Sequence, residues 1–232
     1  MKSRKSVTPT FRELLEDLKP MSFTEKLDHL WTYYKEYLLI VFLVVLVISV
    51  TVSSTINKSK EILFRGMMVN ISMSQQGYNY LTQDYLEALG GDEAHQKVQM
   101  DYTNFTSLAD PTSTEDNYSR SIVLLARVSG GLLDCALIDQ LALEFYMNQE
   151  VFGDLSTLFS QQELDEMGDR VIYAMQEGET VRWPVAIDVT NLEFFQDTAP
   201  ENEKVYLILS GNQPNLEACR NFWNYLHAWK SE

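Results

Sequence analysis

Side chains that commonly perform catalysis or bind metals are sparse in this sequence. The three histidines, His29, His95 and His227, match neither the spacing of metal ligands nor a hydrolase motif. The pairs Gly90-Gly91 and Gly130-Gly131 follow predicted helices, where glycine fits a helix end better than a phosphate-binding loop. The sequence therefore predicts a protein that is not an enzyme, with no cofactor and no bound metal.

Two groups of acidic residues suggest cation binding at first sight. They are Glu163, Asp165, Glu166 and Asp169, and then Asp188, Glu193 and Asp197. Neither group has the alternating ligands and the turn glycine of a calcium-binding loop. A solvated surface is the preferred interpretation of both.

Each of the two cysteines lies in a segment that is predicted to be buried. Cys135 belongs to the apolar segment 132–138 (LLDCALI), and Cys219 lies on the apolar face of the C-terminal helix. Outside the cytoplasm the two could form a disulfide if that helix covers that strand. A bridge needs Cα atoms within about 7 Å of each other. The alternative is two separate buried thiols, and the sequence leaves both open.

Strand and helix signals alternate after residue 60. Strands are predicted at 63–73, 97–102, 132–138, 170–175, 181–189 and 204–209, and helices at 77–89, from 118 onward, at 141–148, at 161–167 and after Pro214. This order predicts an α/β (or α+β) domain, namely a single mixed, largely parallel sheet with helices on both faces.

The carboxyl ends of strands in such a sheet are the usual place for a ligand. Ser72 and Ser74 stand at the end of the first predicted strand, and Asp139 and Gln140 directly follow the buried strand 132–138. These four residues are the predicted ligand-binding set.

Residues 37–56 contain no charged side chain and are rich in Leu, Val and Ile. Twenty helical residues span about 30 Å, the thickness of the hydrocarbon core, and their apolar side chains supply roughly −4 to −8 kcal/mol of insertion free energy. A cleaved signal peptide is the rival interpretation, but thirty-six residues precede the apolar run, far more than a usual n-region. We therefore expect a single transmembrane helix at 37–56.

The charge of the chain is unevenly distributed. Its net charge is −15, and the part from residue 57 onward carries eleven Lys and Arg against twenty-seven Asp and Glu. Such an acidic domain repels phosphate backbones, so nucleic acid is not an expected partner. Basic residues near the span are balanced, but Lys2, Arg4, Lys5 and Arg12 favour a cytoplasmic segment 1–36 and an extracellular domain 57–232 in the cell membrane.

Two stretches resemble a known family. The residues that carry the resemblance are Gly131, Asp134, Asp139, Leu155, Leu158 and Pro184, followed by the run 210–226. Together they resemble bacterial extracellular solute-binding proteins of the type 2 periplasmic-binding fold. Only nineteen residues, 185–203, separate Pro184 from the strand at 204, too few for a second lobe. The resemblance thus implies one lobe only, and the segment LDHLWTYYKEYLL is similar to Firmicute single-pass membrane proteins.

Three hypotheses of function follow. The leading one is a membrane-tethered, extracytoplasmic and non-enzymatic interaction module whose protein partner is unknown. The alternative is a solute-binding or transporter-accessory lobe that recognises a small ligand, alone or as a dimer that recreates a cleft. An enzyme of unfamiliar type is the third.

Overall fold

The computed structural model describes most of the chain in two compact units, Met1–Ser59 and Lys60–Glu232. The residues it describes are Ser22, Thr24, Trp31, 39–51, 60–108, 113–147, 149–175, 182–198 and 204–230. Apart from Ser22, Thr24 and Trp31, the predicted cytoplasmic segment 1–36 lies outside these ranges.

In the N-terminal unit, residues 39–51 are helical and form α1, and the side chains of this helix are exposed along its whole length. Among the described residues, no helix combines the length and the apolar character that are needed to cross a membrane. The predicted span, 37–56, extends past α1 on both sides into residues that are not described, so it stays a prediction.

The second unit contains six strands and a set of short helices. The strands are β1 (Glu61–Val69), β2 (Gln96–Thr103), β3 (Cys135–Ile138), β4 (Val171–Met175), β5 (Arg182–Asp188) and β6 (Tyr206–Leu209). The helices are α2 (Gln75–Asn79), α3 (Tyr85–Ala88), α4 (Glu115–Ser121), α5 (Val123–Ser129), α6 (Gln140–Tyr146), α7 (Gln161–Met167), α8 (Glu193–Thr198) and α9 (Leu216–Ala228). A π-helical turn, Tyr80–Asp84, joins α2 to α3.

The strands form one sheet in the order β2-β1-β3-β6-β5-β4. Strand β1 is parallel to β2 and to β3, whereas the pairs β3–β6, β6–β5 and β5–β4 are antiparallel. The predicted mixed sheet is confirmed, but the prediction that it is largely parallel is wrong. One cause is the six-residue connection 176–181 between β4 and β5, which is too short for the crossover that parallel neighbours need.

Alternate residues of the central strands point into two hydrophobic cores, one on each face of the sheet. On one side, which we call the α9 face, Cys135 and Leu137 of β3 pack with Phe222 of α9. On the other, the α6 face, Ala136 and Ile138 pack with helices that include α5 and α6. Helices therefore cover both faces, as the alternating sequence predicts.

Candidate functional site

The carboxyl ends of β1 and β3 lie side by side, and the chain leaves them in opposite directions. From β1 it continues into α2 and α3, where Tyr85 packs on the α9 face, and from β3 it continues into α6, where Leu143 packs on the α6 face. Adjacent strands whose connections diverge in this way form a topological switch point, the position at which ligands bind in open α/β sheets.

Asn70 joins three strand ends at this point. Its Nδ2 donates to Oδ1 of Asp139 over 3.1 Å, and its own Oδ1 accepts from the backbone N–H of Phe105 over 2.7 Å. Its φ of 60° lies in the left-handed region, which asparagine tolerates better than most residues. The carboxyl ends of β1, β2 and β3 are thereby cross-linked by one side chain.

Asp139 and Gln140 lie at this edge, as predicted. Asp139 caps α6, accepting from the backbone N–H of Ala142 over 2.8 Å. Burial raises the pKa of the Asp139 carboxyl above its usual value, although the hydrogen bonds from Ala142 and Asn70 act in the opposite direction. Gln140 accepts a hydrogen bond from the Tyr206 hydroxyl.

The two serines lie on the segment that leads from β1 into α2. Ser74 caps that helix by accepting from the backbone N–H of Gly77 over 3.0 Å, and both serines are exposed. Sequence reasoning missed Asn70 and Tyr206, although an asparagine directly after a buried strand is a recognisable signal for a left-handed residue. Many of the hydrogen-bonding groups of the predicted ligand-binding residues are therefore bonded to other groups of the protein.

A concave surface lies on the α9 face, between α7 and α9. This α7–α9 groove has a volume of about 560 Å³. The residues that line it include Glu166, Met167 and Arg170 on one side and Trp223, Asn224 and His227 on the other. Charged, amide and imidazole groups thus share the groove with Met167, which is partly exposed, and with Trp223, which is 6% exposed.

An ion pair fixes one end of the groove. Arg220 of α9 donates to Glu163 of α7, and its guanidinium lies 5.0 Å from the ring centroid of Phe159. Hydrogen bonds from Arg220 and from Ser160 lower the pKa of Glu163 to about 2. Glu163 and Ser160 also form a capping box at the start of α7. The acidic segment 161–167 is therefore tied to α9 rather than being only a solvated surface.

The polar groups farther along the groove have capacity for further hydrogen bonds. Arg170 donates through its Nε to the carbonyl of Met167 over 3.4 Å, and the two terminal nitrogens of a guanidinium are further donors. The ring of His227 lies beside the indole of Trp223, with 5.6 Å between their centroids, and its side chain is exposed. The arrangement is suited to binding a carboxylate next to an apolar group.

A second groove, of about 290 Å³, lies at the end of β2. Asn117 and Thr106 line it and are bonded to each other, since Oδ1 of Asn117 accepts from the Thr106 N–H over 2.8 Å and Nδ2 donates to the Thr106 carbonyl over 3.1 Å. These groups stabilise the loop after β2, so the α7–α9 groove is the better candidate site.

The two cysteines lie in the same hydrophobic core. Cys135 and Cys219 are both buried and carry free thiols, and α9 covers the sheet as the predicted disulfide requires. The disulfide itself stays a prediction.

Within the described ranges, no three His, Cys, Asp or Glu side chains come together as a potential metal-binding group. Comparison of the chain with protein families, with curated proteins and with solved structures finds no match.

Proposed function

We propose that the protein is a membrane-tethered, non-enzymatic interaction module that binds a segment of a partner protein in the α7–α9 groove. A helix at 37–56 anchors the chain in the cell membrane. The segment 1–36 lies in the cytoplasm and the domain from 57 onward lies outside.

The absence of charged side chains and the exposure of apolar ones support the membrane anchor. Residues 37–56 lack charged side chains, and α1, which forms the described part of this stretch, exposes Leu, Val, Ile and Phe side chains. A helix that is apolar on all sides is stable when another apolar phase surrounds it, and a lipid bilayer supplies that phase.

The groove is the observation that carries the interaction proposal. Its lining combines the partly exposed Met167 with Arg170, Asn224 and His227, whereas Asp139 and Gln140 at the switch point are bonded to neighbouring groups of the protein. Interfaces typically combine an apolar centre with a polar rim.

The chemistry of the groove defines the partner segment. Glu163 is paired with Arg220, so its charge is compensated, and Arg170 and His227 can receive a carboxylate. Met167, which is partly exposed, and the small exposed part of Trp223 are the apolar contacts for an adjacent side chain. The expected ligand is a protein segment with an acidic residue next to an aliphatic or aromatic one.

Site-specific photo-crosslinking tests this proposal. A photoreactive amino acid replaces Asn224 in the full-length protein within the membranes of its own cells, and a matched protein carries it at Ser119, which is exposed on α4. We expect a discrete cross-linked protein at Asn224, no such product at Ser119, and loss of the product when Arg170→Glu is added. Identical products at both positions, or products that Arg170→Glu leaves unchanged, would contradict the proposal.

The switch point favours a second candidate, the binding of a small solute at Asn70 and Asp139. The left-handed Asn70 and the partly desolvated Asp139 meet where such sheets bind ligands. Thermal-shift screening of the full-length protein with sugars, amino acids and short peptides tests it. Stabilisation that Asp139→Ala abolishes and Arg170→Glu preserves would favour this candidate over the groove.

A further inference from the structure

The start of β3 and the start of α9 are held together by a buried carboxylate. Asp134, which immediately precedes β3, is 3% exposed. Its Oδ1 accepts from the backbone N–H of Asn215 over 2.9 Å, and its Oδ2 accepts from the backbone N–H of Arg65 over 2.8 Å. Since Asn215 is the N-cap of α9, the first turn of this helix is fixed next to the residue that precedes Cys135.

This attachment brings the two cysteines into the same hydrophobic core. Cys219 lies one turn after Asn215, to whose carbonyl its N–H donates over 2.9 Å, and its side chain points toward the sheet. Cys135 is the first residue of β3 and faces α9. The two residues are 1% and 0% exposed, and they belong to the same hydrophobic core.

We propose that Cys135 and Cys219 form an intramolecular disulfide when the domain folds in an oxidising compartment. The oxidant is the disulfide of a thiol oxidoreductase. One cysteine thiolate attacks that disulfide and forms a mixed disulfide, and the second thiolate then displaces the oxidoreductase sulfur. The bond Cys135 Sγ–Cys219 Sγ forms, two electrons pass to the oxidoreductase, which leaves as a dithiol, and the two thiol protons balance the exchange.

The thiol–disulfide exchange takes place during folding rather than in the folded protein. In the folded protein both thiols are covered, and burial raises the pKa of the Cys135 thiol, so the reactive thiolate is scarce. Before α9 docks on β3, both sulfur atoms are accessible to an oxidoreductase. Once formed, the bridge stabilises the fold by restricting the unfolded chain between residues 135 and 219.

Mass spectrometry of the full-length protein tests the bridge. The protein is extracted from its own membranes in detergent with N-ethylmaleimide, denatured, and analysed before and after reduction. We expect no adduct and a mass two daltons below that of the dithiol before reduction, and two adducts after reduction. Cys135→Ala and Cys219→Ala serve as matched variants, each with one adduct under both conditions.

Stability provides a second readout. Reduction is expected to lower the Tm of the wild-type protein by roughly 5–15 °C and to leave that of Cys219→Ala unchanged. The same protein is also refolded in a glutathione redox buffer, because the inference in cells rests on the proposed extracytoplasmic location. Two alkylated thiols after oxidative refolding would overturn the pairing. A bridge that forms in glutathione but is missing from native membranes would support the pairing and overturn the proposed location.

Discussion

Asp134 connects three parts of the chain that are distant in sequence. Its carboxylate lies between β1, β3 and the N-cap of α9, and each of its oxygens accepts one backbone N–H. Carboxylates that accept such hydrogen bonds in a buried position stabilise a fold because the same N–H groups would otherwise be desolvated without a partner.

The first prediction concerns the loss of this carboxylate. Asp134→Ala is expected to lower the free energy of unfolding by about 2 kcal/mol, because it removes the buried acceptor of two part-buried N–H groups, those of Arg65 and Asn215. Asp134→Asn retains one acceptor oxygen, so it should lower the free energy of unfolding by about half as much. Equilibrium urea unfolding of the full-length protein, followed by tryptophan fluorescence, measures both. A loss below about 1 kcal/mol for the alanine variant would contradict this role.

The second prediction concerns the Arg220–Glu163 pair. The pKa of Glu163 falls from 4.5 to about 2 on folding, so its contribution is fully present above pH 4.5 and is lost as the pH falls toward 2. Glu163→Gln keeps an acceptor for the capping box but removes the charge. Between pH 4.5 and pH 2, we expect the variant to lose less stability than the wild type, by up to about 1 kcal/mol because the pair is partly exposed.

Urea unfolding at a series of pH values measures this difference. Glu217→Gln, in the exposed first turn of α9, removes the same charge without touching the pair and is the control. Parallel stability profiles for the wild type and Glu163→Gln across this window would show that the ion pair contributes nothing.

At the scale of elements, the segment after α6 runs close to β6. The N–H of Gly153 donates to the carbonyl of Leu209 over 2.8 Å, and Phe152 and Ser210 form an antiparallel bridge. A Cβ atom at Gly153 would lie 2.6 Å from the backbone oxygen of Ser210 and 3.1 Å from the side chain of Leu209. The backbone itself therefore needs a glycine here.

The third prediction follows from this close approach. Gly153→Ala is expected to lower the free energy of unfolding by about 2 kcal/mol, since the backbone of two packed segments has to separate. Gly130→Ala is the matched control, because a Cβ there meets its nearest neighbour at 3.3 Å, and its effect should stay below about 1 kcal/mol. Thermal unfolding of both variants measures the difference. Equal losses would contradict the steric explanation.

The ends of the elements show how far the sequence could predict the fold. The first strand was expected at 63–73 but ends at Val69, because Asn70 adopts the left-handed conformation that terminates it. The strand expected at 132–138 begins at Cys135, directly after Asp134, whose side chain accepts from the backbone N–H groups of Arg65 and Asn215. Strand and helix types follow from hydrophobic periodicity, whereas these ends depend on contacts across the fold.

The direction of the strands and the contacts at the site were harder to predict from the sequence. The apolar strand at 204–209 was recognised, but nothing in its residues indicates that β6 runs antiparallel to both β3 and β5. The rule for strand ends placed Asp139 and Gln140 at the correct edge, yet Asn70 lies sixty-nine residues before Asp139. The α7–α9 groove is lined by segments that are more than fifty residues apart. Because it forms only when α9 packs on the sheet, the local sequence does not predict it.

At the scale of the whole molecule, the fourth prediction concerns the anchor. The full-length protein is expected to stay with membranes after alkaline carbonate extraction. Replacing Val44 and Val47 with arginine should release it, because two arginines near the centre of a span cost roughly 5 kcal/mol of insertion free energy. Val44→Leu together with Val47→Leu is the matched control and should stay in the membrane. Extraction of the wild-type protein by carbonate would contradict the anchor.

Orientation can be measured on the same preparation. A large excess of protease, added to intact cells for long enough to degrade folded domains, should digest the acidic domain from residue 60 onward and spare a tag placed before residue 20. Protection of the domain in intact cells and its digestion in inverted vesicles would show the opposite orientation.

The carboxylate of Asp134 also bears on how the protein is made. One of its partners, Asn215, follows it by eighty-one residues. The hydrogen bond between them therefore cannot form until the ribosome has synthesised nearly all of the domain. Folding is therefore expected to finish after synthesis rather than strand by strand during it. Chains that stop at residue 210 should be digested rapidly by a protease, whereas chains that reach residue 230 resist it. For such a protein, interrupted synthesis yields fragments that quality control can recognise and remove.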